Sequence, residues 1–437
     1  MASTTLTRTP SSAGNQKTWT LSTWVKNSYG GMFFCVDSHG ATKSIQCDLY
    51  QDADFLEFAQ YASGSGAWSL KTNRLFRDRN AWYHIVLSVD TTQATSSDRV
   101  KIYINGVRET SFSVETYPSQ NYDTGANSAV THMIGSRPSG GAYFDGSMSH
   151  FHFIDGTAYD ASTFGETDAT TGIWKPKTAP SVTYGTNGFF LKFENSGSMG
   201  TDSSPNGNNF TVNGTLTQTV DTPSNVFATL NPLWNPNASI TLSNGNLTQT
   251  VSGSYLTSAT TLGASQGKWY AEYKATDVEN FGLGITPLSG IFLNTTQNVV
   301  GDTGNGWGFY YNWGTFNYRY NSTNTGNATT FSNGDIVMIA MDLDNSKVFF
   351  GKNGTWLDSG DPVNGTNPAF SNVSSDDPIG FAVACESANG SFNFGNGYFG
   401  TTAVSSATTD ESGLGIFEYT VPSGYYALCT KNINTQG

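Results

Sequence analysis

Hydrophobic and polar residues alternate along most of this chain, and one such arrangement occurs twice, about 250 residues apart. In the first half, WYHIVLSVD (82–90) is followed by VKIYINGV (100–107). In the second half, GDIVMIAMDLD (334–344) is followed by KVFFGKNGTW (347–356). Each copy joins an apolar segment that ends in Asp to a second apolar segment that runs into Asn-Gly, which predicts two adjacent antiparallel strands and a tight turn. The repeated pattern therefore predicts two β-sandwiches of similar design.

Segments of alternating apolar and polar residues, each long enough for one strand, continue through the first part of the chain. Three segments are each predicted to form a strand: WTLSTWVK (19–26), MFFCVD (32–37) and DFLEFAQY (54–61). In the strand at 82–90, one face carries a candidate core stripe: Tyr83, Ile85, Leu87 and Val89. Residues 133–166 are predicted to add two more strands around a turn at Asp145-Gly146.

The regular pattern is interrupted over residues 166–235, where several prolines space the chain. This stretch still contains GFFLKF (188–193) and NNFTVNG (208–214), which are predicted to be short strands. Its aromatic residues favour a packed bridge over a free linker. From residue 236 the alternating segments resume, so we expect three parts: 1–165, 166–235 and 236–437.

Composition agrees with an all-β chain. Its 437 residues are enough for two hydrophobic cores. Aromatic residues make up 14% of the chain and charged residues only 13%, which is typical of strands packed through aromatic and β-branched side chains. The predicted fold class is all-β, with two tandem antiparallel β-sandwiches (jelly rolls) and a packed irregular bridge.

Charge and hydropathy exclude two classes of partner. A net charge of −13 argues against nucleic-acid binding, because phosphate contacts need clustered Lys and Arg, and only 21 such residues are scattered along the chain. No apolar run reaches the length of about 20 residues that spans a bilayer, and the first residues have no apolar core of a signal peptide. We therefore expect a soluble chain that is neither inserted in a membrane nor secreted by the general route.

The cysteines do not indicate a metal site. The four cysteines fall two in each half, as Cys35 with Cys47 and Cys385 with Cys429. Their spacing matches no metal-binding pattern, and paired disulfides are an open alternative to buried free thiols. Without a signal peptide, free thiols are the favoured interpretation.

The first half resembles a known family in its strand sequences. The residues that carry the resemblance are WTLSTWVK, WYHIVLSVD, VKIYINGV and YFDGSMSHFHFIDG (143–156). They resemble the laminin-G-like, concanavalin A-like jelly roll. The resemblance implies a sandwich of two curved antiparallel sheets, often a carbohydrate or protein binder and sometimes a calcium binder.

The second half resembles a different sandwich. GKWYAEY (267–273) and the segment 334–354, with the Gly-bounded strands between them, are similar to the SPRY fold. This resemblance covers about 240–400 and implies a non-enzymatic scaffold whose loops select the ligand.

The order of the whole chain further resembles virion proteins of marine tailed bacteriophages. The resemblance rests mainly on GTNGFFLKF (185–193), the segment 202–213 that ends in NNFTVN, and TPSNVFATLNPL (222–233). This likeness implies a tail-fibre or head-appendage protein, by analogy alone.

Glycoside hydrolysis is the first enzymatic chemistry to weigh. Concanavalin-like glucanases carry Glu-x-Asp-x-x-Glu on one strand, and this chain has Asp52, Asp54 and Glu57 at that spacing. Retaining chemistry places two carboxyl groups about 5 Å apart, so a shorter Asp in the first position would misplace the nucleophile. An ordinary acidic strand edge is therefore favoured over a catalytic site.

Histidines and a second acidic cluster give two more candidates. His150 and His152 have the spacing of one strand face and are candidates for a metal ligand or a base, but structural roles are favoured for them and for His84. Asp342, Asp344 and Asn345 resemble part of a calcium loop, yet a tight turn explains the same residues. We expect no cofactor, and we leave any metal site unassigned.

An aromatic segment in the second half is the candidate ligand surface. Sugar rings stack on Trp and Tyr while polar side chains bind the hydroxyl groups. The residues predicted to do so are Trp307, Tyr310, Tyr311, Trp313, Tyr318, Arg319 and Tyr320. The alternative interpretation is that alternate aromatics fill the sandwich core.

The function expected from the sequence is that of a non-enzymatic phage virion appendage, a tail-fibre or receptor-binding module for a host-surface glycan. The alternatives are a purely structural capsid or tail decoration and a polysaccharide depolymerase. Expected partners are the host-surface polysaccharide, other virion proteins and further copies of the chain in a homo-oligomer. The expected location is the virion.

Overall fold

Two compact units make up the chain in the computed structural model, Met1–Gln218 and Thr219–Gly437. The residues that the structure describes are 4–36, 44–50, 53–62, 65–137, 140–169, 172–233, 240–252, 256–276, 278, 280–289, 300–302, 306–312, 315–327, 329–385 and 389–437. The stretch 166–235, expected to bridge two sandwiches, contributes to both units, since the division falls after Gln218.

The first unit contains fifteen described strands and two short 3₁₀ helices. The strands are β1 (Thr5–Arg8), β2 (Thr18–Val36), β3 (Ser44–Leu49), β4 (Phe55–Ala62), β5 (Ser65–Leu75), β6 (Trp82–Asp90), β7 (Val100–Ile104), β8 (Val107–Arg108), β9 (Phe112–Thr116), β10 (His132–Ile134), β11 (Asp145–Asp155), β12 (Gly165–Thr167), β13 (Trp174–Pro176), β14 (Phe189–Leu191) and β15 (Thr211–Asn213). The 3₁₀ helices are Ser96–Asp98 and Ala161–Thr163.

Two large antiparallel sheets form the sandwich of this unit, and the long strand β2 belongs to both; β12 and β13 form a separate two-stranded sheet. The front sheet has the order β15-β1-β10-β2-β3-β4-β5-β9, and the back sheet joins β14, β11, β2, β6, β7 and β8. The first half of β2 pairs with β6 and β11, while its second half pairs with β3 and β10. The separate strands predicted at 19–26 and 32–37 are therefore one strand that crosses from sheet to sheet.

Glycine allows this crossing. Gly30 and Gly31 have φ angles of 103° and 114°, which residues with a Cβ atom rarely adopt. A Cβ on Gly31 would lie 2.2 Å from the carbonyl oxygen of Tyr143. The close approach of residue 143 to the bend thus requires a glycine there.

Side chains between the two sheets form one core. Ile85, Leu87 and Val89 are fully buried, which confirms most of the predicted stripe, and Tyr83 packs partly buried against them. The predicted turn at Asp145-Gly146 is wrong, because these residues begin β11, with an irregular register at that point. A bulge there continues the strand instead of reversing it.

The second unit contains eighteen described strands and one described α-helix. The strands are β16 (Ile240–Ser243), β17 (Thr248–Val251), β18 (Leu256–Ala259), β19 (Lys268–Ala275), β20 (Asn280–Pro287), β21 (Trp307–Asn312), β22 (Thr315–Tyr320), β23 (Thr323–Asn327), β24 (Ile336–Asp342), β25 (Lys347–Lys352), β26 (Thr355–Trp356), β27 (Ile379–Cys385), β28 (Asn389–Asn393), β29 (Tyr398–Phe399), β30 (Thr402–Ala403), β31 (Thr408–Thr409), β32 (Ile416–Phe417) and β33 (Tyr426–Ala427). The helix α1 spans Thr430–Gln436, and a 3₁₀ helix spans Leu357–Ser359.

These strands form a second sandwich. One sheet has the order β16-β17-β28-β19-β24-β25-β26, with β33 added beside β19, and the other has the order β18-β27-β20-β21-β22-β23. The two units together confirm the predicted fold class, all-β with tandem antiparallel sandwiches. Among the described residues, no helix has the length and hydropathy needed to cross a membrane.

The two copies of the repeated pattern fold alike. β6 pairs antiparallel with β7, and β24 pairs antiparallel with β25. Both tight turns place Asn-Gly at positive φ, with Asn105 at 48° and Gly106 at 84° in the first, and Asn353 at 47° and Gly354 at 85° in the second. Asn and Gly tolerate this left-handed conformation, which explains why the sequence signal was reliable.

Candidate functional site

A mixed polar and aromatic surface lies on the side of the front sheet turned away from the core. Along β3, Ile45, Cys47 and Leu49 are fully buried in the core, while Asp48 points to the other side and is half-buried. The same alternation in β4 and β5 brings further side chains beside Asp48. We call this set the aromatic–carboxylate face: Asp48, Tyr50, Phe55, Glu57, Tyr61, Ser69 and Lys71.

Two carboxyl groups are adjacent on this face. Asp48 of β3 lies directly opposite Glu57 of β4, and Glu57 lies opposite Lys71 of β5. The Ser69 hydroxyl donates a hydrogen bond of 2.8 Å to the Glu57 carboxylate. Burial raises the pKa of Asp48 to about 6, with Glu57 adding to the rise and the Arg137 guanidinium opposing it. Asp48 is therefore mostly protonated at pH values below about 6.

Aromatic rings border the carboxyl groups. The rings of Tyr50 and Phe55 lie 4.5 Å apart between centroids. The Lys71 ammonium lies 4.5 Å from the Phe55 centroid and 5.6 Å from that of Tyr50, a cation–π arrangement. Burial raises the pKa of Tyr61, and both Glu57 and Asp48 contribute to the rise. Rings and hydrogen-bonding groups thus share one surface.

This mixture suits a polyhydroxylated ligand. Aromatic rings offer an apolar surface to the C–H groups of a sugar, while carboxylates accept hydrogen bonds from its hydroxyl groups. Tyr50 is 36% exposed, so its ring is accessible from solvent. Sequence reasoning missed this face, although the alternation in DFLEFAQY placed Phe55, Glu57 and Tyr61 on one side.

Of the three acidic residues weighed for glycoside hydrolysis, the two that the structure describes, Asp54 and Glu57, have different surroundings. Asp52 lies outside the described residues. Asp54 precedes β4, with φ at 56°, and pairs with the Arg79 guanidinium. Glu57 lies on the outer side of the front sheet, where its neighbour is Asp48 from the adjacent strand. The register between β3 and β4 brings Asp48 and Glu57 together, and a linear motif does not encode that register.

Two residues of the aromatic segment are core residues and not ligand contacts. Trp307 is fully buried and donates from its indole nitrogen to the Asn372 side chain at 3.2 Å. Tyr318 is 8% exposed, and its hydroxyl donates to Asp358 at 2.6 Å. Both belong to the core of the second unit. Their alternation on β21 and β22 directs them inward, so this part of the predicted ligand surface is corrected.

The remaining residues of the aromatic segment differ in their surroundings. Tyr320 packs against the core with its ring stacked 5.5 Å from Trp307. Arg319 lies 5.8 Å from the Tyr310 ring, and its Nε donates to Asp302 at 2.5 Å. Trp313 and the side chain of Tyr311 lie outside the described residues. Tyr310 packs, partly buried, against a smaller cluster that includes Val300 and Ala382, and Arg319 is held by its ion pair with Asp302.

In the acidic turn of the second unit, side-chain and backbone groups of the protein already bind the carboxylate oxygens. The Asn345 side chain donates to both Asp342 oxygens, at 3.1 and 2.9 Å, and the Lys268 ammonium lies 3.0 Å from the same carboxylate. Asp344 accepts from the Gly267 amide at 2.8 Å. Across the described residues, no group of three or more His, Cys, Asp or Glu side chains has an arrangement that would hold a metal ion.

The described cysteines are free thiols. Cys35, Cys47 and Cys429 are buried and unbridged. The side chain of Cys385 lies outside the described residues. The favoured prediction is thus confirmed for three of the four positions.

A shallow polar depression of about 520 Å³ lies elsewhere on the first unit. It is lined by Thr7, Arg8, Thr9, Thr131, Gly207, Asn208, Asn209 and Thr211. This lining supplies hydrogen bonds but no aromatic ring. The aromatic–carboxylate face combines both kinds of contact and is the stronger candidate.

The first unit is a β-sandwich of curved antiparallel sheets, and comparison with protein families indicates a lectin/glucanase-like fold for most of it. Residues 2–162 match the family model Laminin_G_3, described as the Concanavalin A-like lectin/glucanases superfamily. That match includes the whole aromatic–carboxylate face. Comparison with curated protein sequences gives no match.

Solved structures resemble part of the chain as well. The SPRY domain of human HERC1 is 17% identical, with 35% of this chain and 91% of that domain covered at a TM-score of 0.28. The TRIM65 PSpry domain is 14% identical, with coverage of 38% and 91% and a TM-score of 0.30. Stonustoxin is 19% identical, with coverage of 38% and 26% and a TM-score of 0.28.

Proposed function

We propose that this protein is a non-enzymatic carbohydrate-binding module and that the aromatic–carboxylate face of the first unit contacts the glycan. The observation that carries the proposal is the position of the Tyr50 and Phe55 rings beside the Asp48–Glu57 pair. Stacking on the rings and hydrogen bonds to the carboxylates are the two contacts that sugar recognition combines. The superfamily matched by this part of the chain contains lectins by its description.

The wider setting that we propose is a bacteriophage virion. Its support is the resemblance of the central segments around 185–233 to phage appendage proteins. In that setting, the ligand is a polysaccharide of the host surface, and copies of the chain assemble with the symmetry of their place on the particle. Labelling of intact particles with an antibody against the chain, viewed by electron microscopy, tests this setting independently of any glycan.

Binding to a panel of purified bacterial capsular polysaccharides and lipopolysaccharides tests the face itself. Phe55→Ala removes a stacking ring, and an aromatic contact of about 0.5–1.5 kcal/mol predicts a loss of affinity of about two- to tenfold. Tyr398→Ala, a half-buried tyrosine of the second unit, is the matched control and should leave binding unchanged. Loss of binding in Tyr310→Ala with full binding in Phe55→Ala would move the site to the second unit and refute the proposal.

A second candidate function is polysaccharide hydrolysis, and the Asp48–Glu57 pair is the observation that favours it. A carboxyl group whose pKa is raised to about 6, directly opposite a second carboxyl group, is the arrangement in which one group acts as a general acid and the other as a nucleophile or base. Reducing-end release over time from a bound polysaccharide distinguishes the two functions. A hydrolase loses this release in Glu57→Gln, whereas a binding module never shows it.

A further inference from the structure

Three histidines of the first unit lie close together on the back sheet, on its side away from the core. His84 belongs to β6, and His150 and His152 belong to β11. His84 is fully buried and His152 is 2% exposed. They lie under a covering segment made of residues 156–169 and 172–187, whose side chains Ala161, Phe164, Trp174 and Tyr184 pack on the back sheet.

His84 is held in one protonation state by its partners. Its Nδ1 accepts a hydrogen bond of 3.0 Å from the indole N–H of Trp174, and its Nε2 lies 2.9 Å from the Ser22 hydroxyl. An indole nitrogen only donates, so Nδ1 must be unprotonated and Nε2 carries the hydrogen. A second proton on His84 would place two N–H groups against each other. Protonation therefore requires Trp174 to leave.

Trp174 also holds the middle of the cover against the sheet, where it contacts Gly106 and His84. A Cβ on Gly165 would lie 2.5 Å from the Trp174 ring, and one on Gly106 would lie 2.9 Å from it, so the indole lies directly against both glycines. Both ends of the cover also bond to the sheet, through Tyr159 N–H to the Thr20 hydroxyl at 2.8 Å and Asp155 N–H to Tyr184 O at 2.9 Å, so Trp174 holds the part between them. A second histidine contact lies nearby, between His152 Nδ1 and the Tyr184 hydroxyl at 2.9 Å.

The charges around the cluster do not favour imidazolium. His84 faces Ser22 and Trp24 of β2, His150 of β11 and Trp174 of β13. His152 faces His84, His150, Lys192, Phe164, Phe190 and Tyr184. Glu194 acts on His150, where Lys192 opposes it. Burial is the main reason that the pKa of His84 falls to about 3 and that the pKa of His152 also falls.

We propose that the covering segment is an acid-opened latch, which protonation of His84 releases from the back sheet without unfolding the sandwich. The open form exposes Val86 and Tyr103, which form an apolar surface packed against the cover in the closed form.

The size of the effect follows from proton linkage. The pKa of His84 is about 3 with the cover closed, against 6.5 for an accessible histidine. The closed form is therefore favoured above pH 6.5 and loses stability as the pH falls towards 3. Between pH 6.5 and pH 4.5, the opening equilibrium constant should rise about fiftyfold through His84 alone.

Hydrogen exchange with mass spectrometry on the full chain tests the latch, with rates corrected for the intrinsic pH dependence of exchange. Peptides from 157–184 should show the fiftyfold rise, while peptides from β2 and β6 remain protected. His84→Asn keeps an acceptor for Trp174 but does not titrate, whereas His150 and His152 titrate in both proteins. The rise in opening over this range should therefore be smaller than in the wild type by the fiftyfold factor of His84. His132→Asn is the matched control and should behave as the wild type, because His132 is buried among other partners, the Asn127 N–H and the Val130 carbonyl.

Two results would overturn the latch. One is wild-type protein in which the cover and strands β2 and β6 lose protection together, which would mean global unfolding. The other is an equal pH response in His84→Asn. If that variant does not fold, the comparison of wild-type peptides decides alone.

Discussion

Replacing Asp48 by Asn should stabilise the first unit at neutral pH, although it removes a charged residue from the candidate site. Burial holds the pKa of Asp48 at about 6, from an ordinary value near 3.8. Because the folded-state pKa is raised, the stability linked to this group is present below pH 3.8 and is lost as the pH rises through 6. Asn has nearly the same shape and carries no charge to bury.

The difference in pKa sets the magnitude. A shift of 2.2 pH units corresponds to about 3 kcal/mol, at 1.36 kcal/mol per unit. Asp48→Asn should therefore raise the free energy of unfolding by up to about 3 kcal/mol at pH 7.5 and by only about 0.6 kcal/mol at pH 4. The pH dependence distinguishes this effect from a general improvement in packing.

Urea titration followed by hydrogen exchange of peptides from β3 and β4 measures the effect in the first unit, with peptides from β24 as an internal reference. Asp123→Asn is a suitable control, since the Asp123 side chain is 54% exposed and its charge is solvated. Equal stability of wild type and Asp48→Asn at pH 7.5 would refute the assignment of a buried, costly carboxylate. A gain that does not change with pH would refute its electrostatic cause.

Two further substitutions probe the scaffold around the sites. Glu272, fully buried in the second unit, accepts hydrogen bonds from Tyr270, Asn393 and the amides of residues 418 and 419. Glu272→Leu leaves these donors without their acceptor, so urea denaturation should show a loss of about 3–5 kcal/mol in the free energy of unfolding. Replacement of an exposed carboxylate should cost less than about 1 kcal/mol. A cost that small for Glu272→Leu would contradict the role of Glu272 in holding residues 418 and 419. Gly165→Ala places a methyl group against the Trp174 ring, and hydrogen exchange should show the cover destabilised by about 1–3 kcal/mol. Gly197→Ala is the control, because its methyl group has room. Equal protection of the cover in both variants would contradict the close contact.

Sequence predicted the architecture well where local signals determine the structure. Asn105-Gly106 and Asn353-Gly354 each fix a tight turn, because the left-handed conformation is open mainly to these residues. Alternation in WYHIVLSVD assigned three of the four stripe residues to the core, Ile85, Leu87 and Val89, since alternate side chains of a strand point to the same side of its sheet. Such information lies within a few consecutive residues.

The site was predicted less well because it depends on register between strands. Asp48 lies opposite Glu57 only through the pairing of β3 with β4, and nothing in the linear spacing of Asp52, Asp54 and Glu57 encodes that partner. Trp307 and Tyr318 had the composition of a sugar platform, but the alternation of β21 and β22 directs both into the core. An aromatic run in a strand thus needs its inward and outward positions assigned before it is taken as a binding surface.

Both sites of the first unit are places where the fold bears an electrostatic cost. A partly buried carboxyl pair on the front sheet and a neutral histidine cluster on the back sheet would each be easier to build from apolar or uncharged residues. Side chains that destabilise the fold at some pH are retained most readily where a ligand or a conformational change uses them. The two clusters also respond oppositely to acid: protonation relieves the Asp48–Glu57 pair and strains the contact between His84 and Trp174. Mild acid should therefore strengthen the front sheet while it loosens the cover on the back sheet, and hydrogen exchange of peptides from β3 and from the cover in one sample will show whether these responses have opposite signs.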